Sequence, residues 1–173
     1  SEYQIGRREW NKRSKKGFVN AIRHFKRAIE LDPNYASPYA GLADTYALYQ
    51  NYNFGLPDEV MPMAKEYAER AIEINPNTAE AYVSLAFVLC MYEHDWRLAE
   101  NNYKKAIQLN PNFAEAHSNL GTILKDLGKL QEAEISYRKA IEIKPDYAMA
   151  HYNLGNTLKN LGKSEEAKIS YRK

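Results

Sequence analysis

The chain has 173 residues, 45% of them apolar and 27% charged, which suits one folded domain or one elongated array of small units. No stretch approaches the roughly 18–20 apolar residues that span a bilayer, and the lone Cys90 excludes an internal disulfide framework. The net charge of +2 is uneven: residues 1–27 hold nine Lys or Arg against two Glu, a local +7, and the remainder carries −5.

Other bulk features narrow the setting. The N-terminus has no apolar signal core, and a single thiol fits a reducing compartment, so a cytoplasmic location is expected. Tyrosine is abundant, 14 residues against two Trp and five Phe. A phenol can pack its ring while its hydroxyl reaches water, which favours a thin structure with little deep interior.

Self-similarity organises the whole chain. Four segments read AIELDPNYA (28–36), AIEINPNTA (71–79), AIQLNPNFA (106–114) and AIEIKPDYA (140–148), with prolines at Pro33, Pro76, Pro111 and Pro145. The prolines are 43, 35 and 34 residues apart. In 114–147 the intervening pattern is His117, Leu120, Gly121, Leu124, Ala133, Tyr137, Ala140 and Pro145; in 148–173 it is His151, Leu154, Gly155, Leu158, Ala167 and Tyr171. These positions and this period resemble the tetratricopeptide repeat (TPR) family. The resemblance implies an all-α fold, a right-handed α-solenoid of about five antiparallel helix hairpins.

Taken in chain order, the first unit (1–35) is divergent, with Ile5-Gly6 as its Leu-Gly equivalent and Ala21, Phe25, Ala28 and Pro33 in its second half. Its helices are predicted near 2–13 and 17–31. The second unit (36–78) shows Tyr39, Leu42, Ala43, Tyr46, Ala64, Ala68 and Ala71, with helices near 36–50 and 58–74 and nine extra residues near 50–58. Tyr46, Tyr49, Tyr52 and Phe54 are expected to pack back on this second hairpin, although a long loop is also where binding often resides. The third unit (79–113) carries Tyr82, Leu85, Ala86, Leu89, Ala99, Tyr103 and Ala106, with helices near 79–92 and 95–109. The fourth (114–147) has helices near 114–127 and 130–143. The fifth (148–173), near 148–161 and 164–172, stops inside its second helix with no capping helix, which suggests a piece of a longer protein.

The physical chemistry of these positions supports stacking. Leu120, Leu124 and Leu127 recur on one helix face, as do Ala133, Tyr137, Ala140 and Ile141. Small residues at Gly121, Ala133 and Ala140 allow helix axes to approach within roughly 8–10 Å, and Tyr137 fills the space beside them. Gly128 and Gly162 stand where the chain reverses, and each proline ends a second helix.

In the family, the first helix of each hairpin lines an inner groove. Carried onto this chain, the resemblance implies groove stripes at Glu115, Ser118, Asn119, Thr122, Lys125 and Asp126, and at Met149, Tyr152, Asn153, Asn156, Lys159 and Asn160. Earlier units would contribute Asp44, Ser84 and Phe87. Asn119 and Asn153 occupy equivalent sites 34 residues apart, similar to the asparagine ladder of O-linked N-acetylglucosamine transferases, which grips a peptide backbone. An amide is both donor and acceptor, so it can match a peptide group whatever its side chain. Gly41 and Ser84 at the same site limit any ladder to two rungs, and a solvated Asn is the plainer alternative. The carboxylate clamp of chaperone-tail binders is not expected, because Ala40, Gly41, Asp44, Glu80, Ser84, Glu115 and Asn119 include no cation.

Several other features are expected to be inert. Leu161-Gly162-Lys163-Ser164 lacks the earlier glycine of a phosphate loop, since Thr157 holds that place. His117 and His151, in neighbouring units, are too far apart to share a metal and are expected to pack between helices. His94-Asp95-Trp96 has no third catalytic partner, and Cys90 is expected as a small inner-face side chain. No catalytic residues, metal or cofactor are expected, and no small-molecule substrate. The basic N-terminal end could meet nucleic acid or acidic lipid, but an exposed helix and polar turn is the preferred reading.

The expected function is therefore a non-enzymatic scaffold that holds a protein or peptide, as an extended segment or a helix, in its groove. Self-association through the uncapped last unit is a further expectation. The alternative is an accessory region of a larger chain: residues 3–105 look like TPR segments of bacterial transcriptional regulators and nucleotide cyclases, and 114–173 like those of glycosyltransferases and bacterial repeat proteins.

Overall fold

The computed structural model describes residues 1–172, apart from the side chains of Gln50 and Asn51; Lys173, the last residue of the fifth expected unit, lies outside it. The described residues form ten α-helices and no strand. They divide into two compact units, Ser1–Asp95 and Trp96–Lys173.

Unit 1 contains α1 (Glu2–Trp10), α2 (Lys15–Leu31), α3 (Ala36–Asn51), α4 (Pro57–Ile74) and α5 (Ala79–Met91). Consecutive helices pack as antiparallel hairpins that stack on one another, solenoid fashion, with α3 against α2, α4 and α5. Helix α1 ends three residues before the expected 13, because Arg13 takes a left-handed φ of 48°. Helix α2 starts two residues early, where the Ser14 hydroxyl accepts from the Gly17 N–H (3.1 Å) and caps it.

The nine extra residues of the second unit do not form a long loop. They lengthen α3 to 16 residues and α4 to 18, leaving only 52–56 as the turn. As expected, the aromatic group packs on its own second hairpin, Tyr46 on Tyr67 and Phe54 on Tyr49 (ring centroids 5.8 and 5.9 Å apart), and Tyr52 and Phe54 also reach Phe18 of the first hairpin (5.5 and 6.2 Å). The physical reason is that Phe18, fully buried on α2, offers an aromatic surface that the lengthened α3 carries them onto. Nearby, Trp10 lies between the Arg7 and Arg13 guanidinium groups, 4.2 and 3.6 Å from its ring centre.

Unit 2 contains α6 (Trp96–Leu109), α7 (Ala114–Asp126), α8 (Leu130–Ile143), α9 (Ala148–Asn160) and α10 (Ser164–Ser170). Pairs α7/α8 and α9/α10 are hairpins, and α6 and α8 pack on the next first helix. Ala133, Tyr137 and Ala140 are fully buried, as the pattern required. The reason for glycine in the Leu-Gly pair is steric. A Cβ on Gly121 would stand 2.8 Å from the Tyr137 ring, one on Gly155 2.5 Å from Tyr171, and one on Gly6 2.6 Å from Phe25. Ile5-Gly6 is thus the Leu-Gly equivalent of the divergent first unit.

The hairpin turns share one device, a residue with positive φ: Arg13, Asn53, His94, Gly128 and Gly162. After α7 the Lys129 N–H reaches back to the Leu124 carbonyl (2.8 Å), closing the helix with Gly128 at φ 77°.

Two substitutions separate backbone from packing effects. Gly128→Ala meets open space, so its cost of about 1–2 kcal/mol comes from left-handed backbone alone. Ala140→Leu adds volume to a fully buried site and costs roughly 1–3 kcal/mol through overpacking. Urea midpoints of the two variants check both; an unchanged midpoint for Ala140→Leu contradicts the helix register.

Candidate functional site

Two polar patterns recur through the hairpins and fix what remains available for binding. The first joins each first helix to the proline turn before it. Tyr39 and Tyr82 donate their hydroxyls to the carbonyls of Pro33 and Pro76 (both 3.1 Å). His117 and His151 meet the carbonyls of Pro111 and Pro145 through Nε2, at 2.9 and 2.8 Å. A carbonyl only accepts, so each imidazole carries its proton on Nε2 there. This explains why histidine can stand where the earlier units have Tyr39 and Tyr82: it supplies a ring and a donor six residues after the proline. The sequence held this signal in the fixed proline-to-ring spacing.

The second pattern is a buried glutamate between two cations. Glu100 accepts from Lys104 and from Lys129 (3.0 Å), and Glu134 from Arg138 and Lys163 (2.8 Å). Each links one second helix to the following hairpin turn. The Lys104 hydrogen bond, opposed by burial and aided by Lys129, holds the Glu100 carboxyl below the ordinary 4.5. At Glu134 burial alone pushes upward, but the Lys163 and Arg138 bonds outweigh it and the carboxyl is also lowered. Lys65–Glu93 (2.6 Å) makes a like contact in unit 1 with the charges exchanged. Lys163, from the phosphate-loop look-alike, is therefore an anchor between hairpins.

The expected groove residues of unit 1 are largely withdrawn from solvent. Ser84 is 4% exposed, and Phe87 packs on the unit 1 core. Asp44 pairs with Arg7 at 3.4 Å, tying α3 to α1. Gly41 holds the site of the asparagine rungs, and a Cβ there would stand 2.8 Å from Phe25, so the core occupies that site. Cys90 is buried as well.

In unit 2 the expected stripe is split. Ser118 is 2% exposed, a correction to the expected stripe, because packing covers its side chain, and its carbonyl accepts the Thr122 hydroxyl (3.2 Å). Thr122 also accepts from the Tyr137 phenol (3.1 Å), and Asn156 accepts from Tyr171 (2.8 Å). These oxygens orient the packing tyrosines. Burial pushes the Tyr137 phenol up to about 12, so it remains a donor across the usual pH range. Lys125 sits 3.4 Å from Asp126, and Lys159 is exposed on the last turn of α9.

Asn119 and Asn153 remain. Both are half-buried, one on α7 and one on α9, and neither side-chain amide bonds to a described residue. Beside Asn153, Tyr152 is 58% exposed, its ring 6.1 Å from Tyr171. Met149 and Ile169 are likewise exposed on this hairpin. The stripe thus offers two unpartnered amides, with an exposed aromatic ring beside Asn153. No group of three or more metal-ligating side chains is gathered among the described residues, and no helix there is long and apolar enough to cross a membrane.

Residues 95–128 and 121–162 match the family model of the TPR repeat. No curated protein matches the chain significantly. Among solved structures, that of MamA is 27% identical, with 99% of this chain and 86% of that one covered and a TM-score of 0.67. YrrB, described as a TPR protein with an unusual peptide-binding site, is 26% identical over 94% of this chain and 85% of its own, at a TM-score of 0.61. TTC0263, a thermophilic TPR protein of Thermus thermophilus, shares the fold at a TM-score of 0.75 and 20% identity, covering 99% of this chain and 89% of its own.

Two variants test the recurrent polar links. His151→Phe loses the bond to the Pro145 carbonyl and costs about 0.5–1.5 kcal/mol, whereas His151→Tyr keeps a donor and recovers most of it, as thermal or urea unfolding reads out. For Glu134 the folded carboxyl titrates lower than the unfolded one. Its stability contribution is therefore complete above the ordinary 4.5 and is lost as pH falls through the lowered folded value. Glu134→Gln flattens that acid limb; a urea midpoint series below about pH 5 in both proteins measures it.

Proposed function

We propose that this chain is a non-enzymatic interaction scaffold that holds an extended peptide or helix of another protein, working in a reducing, cytoplasmic setting. Its TPR repeats and its likeness to MamA and YrrB support the scaffold reading. The observation that carries the peptide reading is the pair of unpartnered amides, Asn119 and Asn153, at equivalent positions of successive first helices. A half-buried amide with no internal partner leaves a donor and an acceptor for a ligand, and one per repeat matches a peptide group without selecting its side chain. YrrB's peptide-binding site supports this choice of ligand.

Asn156 contributes its remaining N–H donors, since only its oxygen is held by Tyr171. Tyr152 offers a ring to an apolar side chain of the peptide, and Lys125 and Lys159 bias the groove toward acidic flanks. Asp44, Ser84, Ser118 and Phe87 drop out of the binding set because the fold engages them. As an accessory segment of a larger signalling or glycosyltransferase chain, the scaffold would use the same two amides.

The double variant Asn119→Ala, Asn153→Ala tests the reading. Each hydrogen bond contributes about 0.5–1.5 kcal/mol net, so partner affinity falls by roughly 1–3 kcal/mol. Neither amide has an internal partner, so stability changes by less than about 0.5 kcal/mol. A peptide partner captured by the wild type and titrated into both proteins gives the answer, and full affinity in the folded double variant overturns the two-rung groove.

A further inference from the structure

Unit 1 carries two clefts at equivalent repeat positions with opposite charge. On α2, Arg23, Lys26 and Arg27 line a cleft of about 450 Å³ with Glu2, His24 and Glu30. On α4, Glu66, Glu69, Arg70 and Glu73 line one of about 380 Å³ with Tyr39 and Tyr67. The offset is 43 residues, the same as from Pro33 to Pro76. The Arg27–Glu30 pair (2.7 Å) returns unchanged as Arg70–Glu73 (2.9 Å). Around it the sign inverts: Lys16, Arg23 and Lys26 become Glu59, Glu66 and Glu69.

Each set shares one helix face by its spacing, and all six residues are exposed. None makes an ion pair within the described residues, and only Glu69 has a longer-range opposite charge acting with it, that of Lys65, so each face keeps a net sign. Exposed Val19 and Pro62 stand at matching points amid the charges, a small apolar contact on each side. The wider chain follows the same division, with +7 over residues 1–27 and −9 over 28–95.

We propose that unit 1 is self-complementary: the basic face of α2 in one copy docks on the acidic face of α4 in a second copy, and the reciprocal contact closes a symmetric dimer. Helices α2 and α4 flank α3, on which both pack. A two-fold axis running between them, along the helices, sets each basic face over the other copy's acidic face. Such an interface is isologous, with residue i meeting j and j meeting i, and it closes at two chains. The opposed charges are exposed, so the contact is weak, fast to form and sensitive to salt.

Sedimentation of the full chain tests it by charge exchange. The wild type dimerises at about 0.01 M salt, where the Debye length is about 30 Å, and is monomeric at about 1 M, where it is about 3 Å. Variant R23E/K26E, and separately E66K/E69K, opposes like charges at both contacts and weakens the dimer at least about tenfold in Kd. The fourfold variant R23E/K26E/E66K/E69K exchanges the two faces and restores the dimer. Circular dichroism confirms that each variant is folded.

A wild type that stays monomeric at low salt overturns the proposal, as does failure of the fourfold variant to recover. A dimer that persists in high salt and in R23E/K26E also overturns it, and points instead to the apolar Met149, Tyr152 and Tyr171 surface. If the wild type is monomeric yet binds a labelled single-stranded oligonucleotide that R23E/K26E cannot bind, the basic face belongs to nucleic acid and the proposal fails.

Discussion

Three of the hairpins depend on one steric relation: a ring from the second helix or its cap lies against a position on the first helix that has no side chain. Phe25 against Gly6, Tyr137 against Gly121 and Tyr171 against Gly155 are the same contact in three units. It limits how near the two helices can come, and fully buried alanines such as Ala133 and Ala140 stand on either side of the ring in the chain. A methyl group at the glycine would displace the ring, and a smaller ring would leave a void, so the pair is constrained from both directions.

Polar contacts then join one hairpin to the next. The Tyr or His bonded to the proline carbonyl fixes the angle at which a new first helix leaves the preceding turn. The glutamate held by two cations ties a second helix to the following turn, and burial strengthens those bonds while making an unpaired carboxylate costly. Together these links consume many polar side chains that a reader of the sequence would assign to a ligand. Thr122, Asp44 and the oxygen of Asn156 are all engaged in this way.

What the fold leaves over is therefore informative. Asn119 and Asn153 are half-buried in unit 2 with no side-chain partner among the described residues, and charged faces of α2 and α4 stand exposed on unit 1. The two surfaces have different chemistry, amide hydrogen bonding in one case and long-range charge in the other. They can accordingly act on different partners without sharing a residue.

The ten helices were legible in the sequence because period, proline stops and turn residues all point the same way, and most boundaries agree within one or two residues. The two-residue error at α2 and the three-residue error at α1 arise where a Ser14 cap and a left-handed Arg13 override periodicity. The core was legible too, since Ala, Leu and Tyr at fixed repeat positions have one compatible environment. The groove was less so. Spacing places Ser118, Ser84 and Asn119 on nearly the same face, and only packing decides which of them is covered. The aromatic insertion announced packing on its own hairpin but not the further contact with the first, because Phe18 lies more than thirty residues away in the chain. Sequence by itself determined the repeat, the helices and the residues of the core, since each is fixed by local spacing. Only tertiary structure decided which polar side chains the fold itself uses and which it leaves free, because that depends on what a neighbouring hairpin presents at hydrogen-bonding distance.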